Sequence, residues 1–91
     1  MTSELSPEFR AAFRRLPARI QQQARRNYKF WKDNPRHPSL DFKRVGKKSP
    51  VYSVRVGIGW RALGLLDKND DTILWLWIGS HAEYDRLLKD Q

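Results

Sequence analysis

The chain has 91 residues, a net charge of +8, and 40% hydrophobic, 31% charged and 12% aromatic residues, enough for one modest core and too aromatic for a disordered segment. Without cysteine it has neither a disulfide framework nor a thiolate metal site, and a reducing interior such as a bacterial cytosol suits it. Its longest apolar runs fall far short of the roughly 18 residues that span a bilayer, and Met1 to Glu4 is polar where a signal peptide would be apolar.

A single domain over 1–91 is therefore expected, located in the cytoplasm, with no membrane association. The charge is unevenly placed: Arg10 to Lys48 holds 13 Lys/Arg against Asp33 and Asp41, whereas Ser49 to Gln91 holds 5 against 6 Asp/Glu. Such asymmetry points to an acidic partner, nucleic acid first, although a solvated helix face accounts for part of it.

Ser6-Pro7 reads as an N-cap followed by proline at the first helical position, and Phe9, Ala12, Phe13 and Leu16 recur at helical spacing. This helix is expected to end near Arg15. Pro17 restarts the chain, and Ile20, Ala24, Tyr28 and Trp31 form a second apolar stripe ending before Asn34-Pro35. The two segments predict an antiparallel helical hairpin with a basic outer face.

After the turn-rich connector Asn34 to Pro38, the alternation of Leu40, Phe42 and Val45 predicts a half-buried strand, and Gly46 to Pro50 a basic loop. Val51 to Val56 alternates strongly, with Tyr52, Val54 and Val56 on one face and Ser53 and Arg55 on the other. Gly57-Ile58-Gly59 turns the chain into a strand over Trp60 to Leu66, with Arg61, Leu63 and Leu65 sharing a face. Asp67 to Asp71 is a polar hairpin turn, and Thr72 to Ile78 a covered strand that Gly79 is expected to break. Ser80-His81-Ala82-Glu83 fits a capping box opening a C-terminal helix with Tyr84, Leu87 and Leu88. The predicted fold is α+β: an N-terminal helical hairpin packed on a four-stranded antiparallel sheet, then a short C-terminal helix.

His37 and His81 are the only imidazoles and no grouped Asp/Glu/His set accompanies them, so no metal and no cofactor are expected. Gly57-Ile58-Gly59 lies between two strands rather than before a helix, so it is a turn and not a phosphate loop. More suggestive are Arg55, Arg61, His81 and Tyr84, with Lys43, Lys47 and Lys48 nearby. If the register pairs residues 55 and 61, two guanidiniums on neighbouring strands would clamp a phosphate and stabilise a phosphorane-like transition state. The same arginines also fit pairing with Asp or Glu across the sheet. His81 would stand in the first turn of the last helix as an acid or base, or simply face solvent. Tyr84, three residues on, shares its helical face and fits either the site or the core. Glu83 is the carboxylate expected near His81, and the capping box accounts for it.

Taken together, the hairpin, Asn34-Pro35-Arg36-His37-Pro38-Ser39-Leu40, Tyr52-Ser-Val-Arg55-Val, Trp60-Arg61-Ala-Leu-Gly64 and Trp77-Ile-Gly-Ser-His81-Ala-Glu-Tyr84 resemble the RelE/ParE superfamily of type II toxins over nearly the whole chain. The resemblance implies a toxin held by a cognate acidic antitoxin. It also implies one of two activities: metal-independent, ribosome-dependent mRNA cleavage that inhibits translation, or non-enzymatic inhibition of DNA gyrase. A degenerate member that only binds RNA or an antitoxin is a third reading. In the endoribonuclease branch the 2′-hydroxyl attacks the adjacent phosphate. By analogy Arg61 would stabilise transition-state charge, Arg55 position phosphate, His81 act as acid or base and Tyr84 orient substrate, with Lys43, Lys47 and Lys48 binding RNA. The Phe42 to Lys48 stretch has no Glu to serve as the base used by some of these nucleases.

Overall fold

The computed structural model describes residues 1–89; Asp90 and Gln91, within the expected domain span, lie outside the described residues. The first helix, α1 (Pro7–Arg14), starts as its sequence dictates: Ser6 Oγ accepts the Phe9 N–H at 3.0 Å, and proline occupies the first turn, where its missing N–H costs nothing. Pro17 then opens α2 (Ala18–Asp33), which buries Ile20, Ala24 and Trp31. Gln21 joins the helices by donating from Nε2 to the carbonyls of Phe13 and Leu16, both at 3.1 Å, and Arg25 lies over the Phe13 ring.

The sheet has five strands in the order β1-β5-β4-β3-β2: β1 (Thr2–Leu5), β2 (Lys43–Arg44), β3 (Val51–Gly57), β4 (Trp60–Asp67) and β5 (Thr72–Ser80). The predicted antiparallel meander is present as β2 to β5. The fifth strand is a correction to the expected four, since β1 runs parallel to β5 with Thr2 opposite Thr72 and Leu5 opposite Trp75. This edge strand has mostly exposed side chains, so it carries no hydrophobic alternation. Backbone bonds hold it, including Thr2 N–H to Asp71 O at 2.9 Å and Ser6 N–H to Trp75 O at 3.0 Å.

Two further expectations are corrected. The strand expected through Leu40, Phe42 and Val45 is a 3₁₀ turn (Pro38–Leu40) followed by only two residues of β2. Leu40 and Phe42 do face the core, but Asp41 between them has φ 45° and ψ 48°, a left-handed conformation that ends extended structure. Gly79 does not break β5 either: it pairs with Arg61 inside the strand, and a Cβ there would meet Trp77 Cζ2 at 2.4 Å. The missing side chain makes room for the Trp77 ring. The strand ends instead at Ser80, where the capping box opens α3 (His81–Lys89): Glu83 N–H donates to Ser80 Oγ at 3.2 Å, and Ser80 N–H to Glu83 Oε1 at 3.4 Å.

The two sheet faces do different work. On one, α1 and α2 cover Val54, Val56, Ala62, Ile73, Trp75 and Ile78, with Trp31 edge-on to Trp75; each fully buried side chain of this size contributes about 1.5–3 kcal/mol. On the other, α3 lays Tyr84 and Leu88 over Val51, Leu63 and Trp77. A bulge between Leu63 and Gly64 lets β5 switch parity, so Trp75 and Ile78 face the hairpin while Trp77 faces α3. Beside the start of α3, the β3–β4 turn end of this face stays open.

Candidate functional site

That open end is a cavity of about 400 Å³ bordered by Asp41, Lys43, Arg55, Ile58, Gly59, Arg61, His81 and Tyr84. Three features of the chain build it. Arg55 is directly opposite Arg61 in the β3–β4 register, and both point to the α3 face. Gly59, at φ 81°, closes the two-residue turn in a conformation that side chains strain to adopt, and its carbonyl accepts the His81 N–H at 2.7 Å, which docks the start of α3 beside the turn. Asp41 is delivered by the left-handed kink before β2.

The two arginines have different surroundings. Arg55 is exposed and has no hydrogen bond or ion pair among the described residues. Arg61 is only 4% exposed. Its Nε donates to Ser53 Oγ at 2.5 Å, Nη1 to Asp41 Oδ2 at 3.2 Å and Nη2 to the Asp41 carbonyl at 2.9 Å, while the guanidinium carbon lies 5.3 Å from the Tyr84 ring centre. Three of its five N–H groups are thus engaged within the protein. Arg61 does take the cross-sheet pairing with an acid, and Ser53 and Asp41 are partners the sequence did not single out. Tyr84, 5% exposed, belongs to the core beneath Arg61 as well as to the cavity wall.

Asp41 Oδ2 also meets Lys43 Nζ at 3.4 Å. Partial burial pushes the Asp41 carboxyl upward, but the opposing charges and hydrogen bonds of Lys43 and Arg61 outweigh it, leaving the group below its ordinary value of 3.8 and ionised at neutral pH. His81 is 53% exposed; its Nδ1 lies 3.2 Å from Asp85 Oδ2 one helical turn on, and its ring is edge-on to Tyr84 at 5.3 Å. Asp85, not Glu83, is therefore the carboxylate that orients the imidazole, and i,i+4 spacing on the helix was the available signal. With Nδ1 held by Asp85, Nε2 remains for a ligand.

Lys43 thus joins Arg55, Arg61, His81 and Tyr84 around one cavity. Lys47 and Lys48 do not: their loop precedes Val51, at the opposite end of β3, roughly 13 Å from Arg55 along the strand. On the hairpin face, a second cavity of about 450 Å³ opens between α1, α2 and the sheet. Its walls are largely apolar, from Phe9 and Phe13 to Trp31, Val56 and Trp75, and the buried indole N–H groups of Trp31 and Trp75 have no hydrogen-bond partner among the described residues. Arg10, Arg14, Arg25 and Arg55 also border it. Arg55 is common to both cavities.

The hairpin-covered sheet is the fold of solved RelE and YoeB/ParE toxins. The RelBE2 toxin-antitoxin complex of Mycobacterium tuberculosis contains a chain 25% identical to this one with a TM-score of 0.65, over 88% of this chain and 96% of that one. The RelB-RelE complex of Methanococcus jannaschii (18% identity, TM-score 0.69, 90% and 95% covered) and the YoeB/ParE toxin of Agrobacterium tumefaciens (13%, 0.67, 89% and 99%) have the same fold. The model of the ParE-like toxin domain matches residues 18–86, and the chain belongs to that family. No curated protein sequence matches it.

Proposed function

We propose that this toxin is a metal-independent, ribosome-dependent mRNA endonuclease that inhibits translation and is held inactive in the cytoplasm by an acidic antitoxin. The observation that carries this reading is the convergence of Lys43, Arg55, Arg61, His81 and Tyr84 on one cavity open to solvent. In the proposed reaction the 2′-oxygen attacks the adjacent phosphorus and the bond to the 5′-oxygen breaks. Arg55, exposed and without an ion pair among the described residues, holds the phosphate oxygens. His81 moves the proton through Nε2, a contribution of about 10² to 10⁴ in rate. Arg61 and Tyr84 act from beneath: the guanidinium supplies positive potential to the phosphorane, and the ring supports the guanidinium. Lys47 and Lys48 bind RNA backbone farther along the sheet.

The arginine-bordered groove on the hairpin face supports an antitoxin partner. An acidic segment with apolar side chains would seat the latter against Phe9 and Phe13 and its carboxylates against Arg10, Arg14 and Arg25, none of which has an ion pair among the described residues. One observation favours the second reading, gyrase inhibition: Arg61 gives three of its five N–H groups to Asp41 and Ser53, as an arginine holding the fold together does. Mapping mRNA 5′ ends on translating ribosomes after induction separates the two. New codon-linked ends that disappear in His81→Ala and Arg55→Gln support the nuclease, whereas growth arrest with intact mRNA and DNA damage supports gyrase inhibition.

A further inference from the structure

The cavity proposed to receive a phosphate already contains an anion. Asp41 Oδ2 accepts from Arg61 Nη1 at 3.2 Å and lies 3.4 Å from Lys43 Nζ, so one carboxylate oxygen holds two of the cavity's three Lys/Arg cations. Its position is not incidental. The residue stands in the left-handed region, which Gly, Asn and Asp enter at least cost, and Arg61 Nη2 grips its carbonyl at 2.9 Å. The carboxylate is thus fixed to the sheet rather than swinging at the end of a loose loop, yet its side chain is 36% exposed and faces the same opening as Arg55.

We propose that Asp41 is an affinity-setting residue of this cavity, an internal counter-ion that occupies Arg61 and Lys43 where phosphate oxygens would otherwise bind. The inference rests on the reading of the cavity as a phosphate site. Asp41 lowers the affinity for any single phosphate group and leaves Arg55 as the first point of contact. A lone phosphate must then compete with Asp41, whereas a polynucleotide that also reaches Lys47 and Lys48 offsets the repulsion through contacts elsewhere. The site thereby discriminates against small anions in favour of an extended phosphate backbone.

The experiment compares full-length wild-type protein with Asp41→Asn, in which the amide oxygen still accepts from Arg61 and the backbone conformation is still tolerated. Each is titrated with a short 2′-O-methyl oligoribonucleotide, which cannot be cleaved, by fluorescence anisotropy, and with inorganic phosphate by NMR. Repulsion between unit charges about 4 Å apart corresponds to about fivefold in affinity even in the water limit. Asp41→Asn should therefore bind phosphate at least about fivefold more tightly and gain less for the oligonucleotide. Unchanged or weaker phosphate binding by folded Asp41→Asn overturns the inference, because it makes Asp41 a residue that presents Arg61 to the ligand. Asp41→Gly, which suits φ 45° and also removes the charge, gives the same comparison if the Asn variant is unstable. If Arg55→Gln leaves wild-type binding unchanged, the phosphate-site reading fails and this inference with it.

Discussion

Replacing Arg61 by Ala tests whether the centre of the cavity is framework or apparatus. The substitution deletes three hydrogen bonds and the cation over Tyr84. Ser53, fully buried, loses its Arg61 partner, a cost of about 1–3 kcal/mol for an unsatisfied hydroxyl. Breaking a buried ion pair costs about 3–5 kcal/mol, but Asp41 is partly exposed and keeps Lys43, so solvent recovers part of that. The net expectation is a loss of about 2–4 kcal/mol, which lowers the melting temperature of a domain this size by about 10–25 °C. Thermal and urea unfolding followed by circular dichroism reads it directly. A loss below about 1 kcal/mol would refute the account, because the network would then hold nothing together. If the loss is as large as expected, toxicity abolished by Arg61→Ala says little about catalysis by itself.

Arg55→Gln provides the complementary case. With no partner among the described residues to lose, it should change stability by less than about 0.5 kcal/mol while weakening oligonucleotide binding and reducing the salt slope by about one. Gly64→Ala should cost about 1–3 kcal/mol in urea unfolding, because a Cβ there would come within 2.8 Å of the buried side chains of Ile73 and Trp75, which would have to shift. Acid sensitivity follows from Asp41: its carboxyl is held below 3.8, so its contribution to stability is fully present above that value and disappears as pH falls through the lower, folded-state value. Asp41→Asn should flatten the fall in melting temperature below about pH 4.

Where local chemistry decides structure, the sequence was readable. Ser6-Pro7 and Ser80 to Glu83 cap their helices as their residue types require, and the alternation of Val51 to Val56 places Arg55 on the face opposite Val54 and Val56. Misreadings arose where tertiary contacts override local pattern. Thr2 to Leu5 is a strand only because β5 offers an edge, and the alternation around Phe42 is interrupted because Arg61, 20 residues away, secures a kink at Asp41. The site was partly legible for the same reason. Arg55 and Arg61 are neighbours through a turn that is itself encoded, whereas Asp41 and Ser53 become partners of Arg61 only once three strands are assembled.

Arg55 borders both cavities, which ties the proposed chemistry to the proposed inhibition. An acidic segment lying in the hairpin groove needs to extend only one carboxylate to Arg55 to remove its guanidinium from the proposed phosphate site, while Arg61 keeps its bonds to Asp41. Inhibition then requires no displacement of α3 and no entry into the cavity beside His81. The arginines separate accordingly. Arg14→Gln and Arg25→Gln should weaken binding of the purified cognate antitoxin in calorimetry and leave oligonucleotide affinity unchanged, because neither residue borders the proposed phosphate cavity. Arg55→Gln should weaken both. Equal loss of oligonucleotide affinity in all three variants would mean that the basic face acts as one diffuse field and that Arg55 holds no position between the sites.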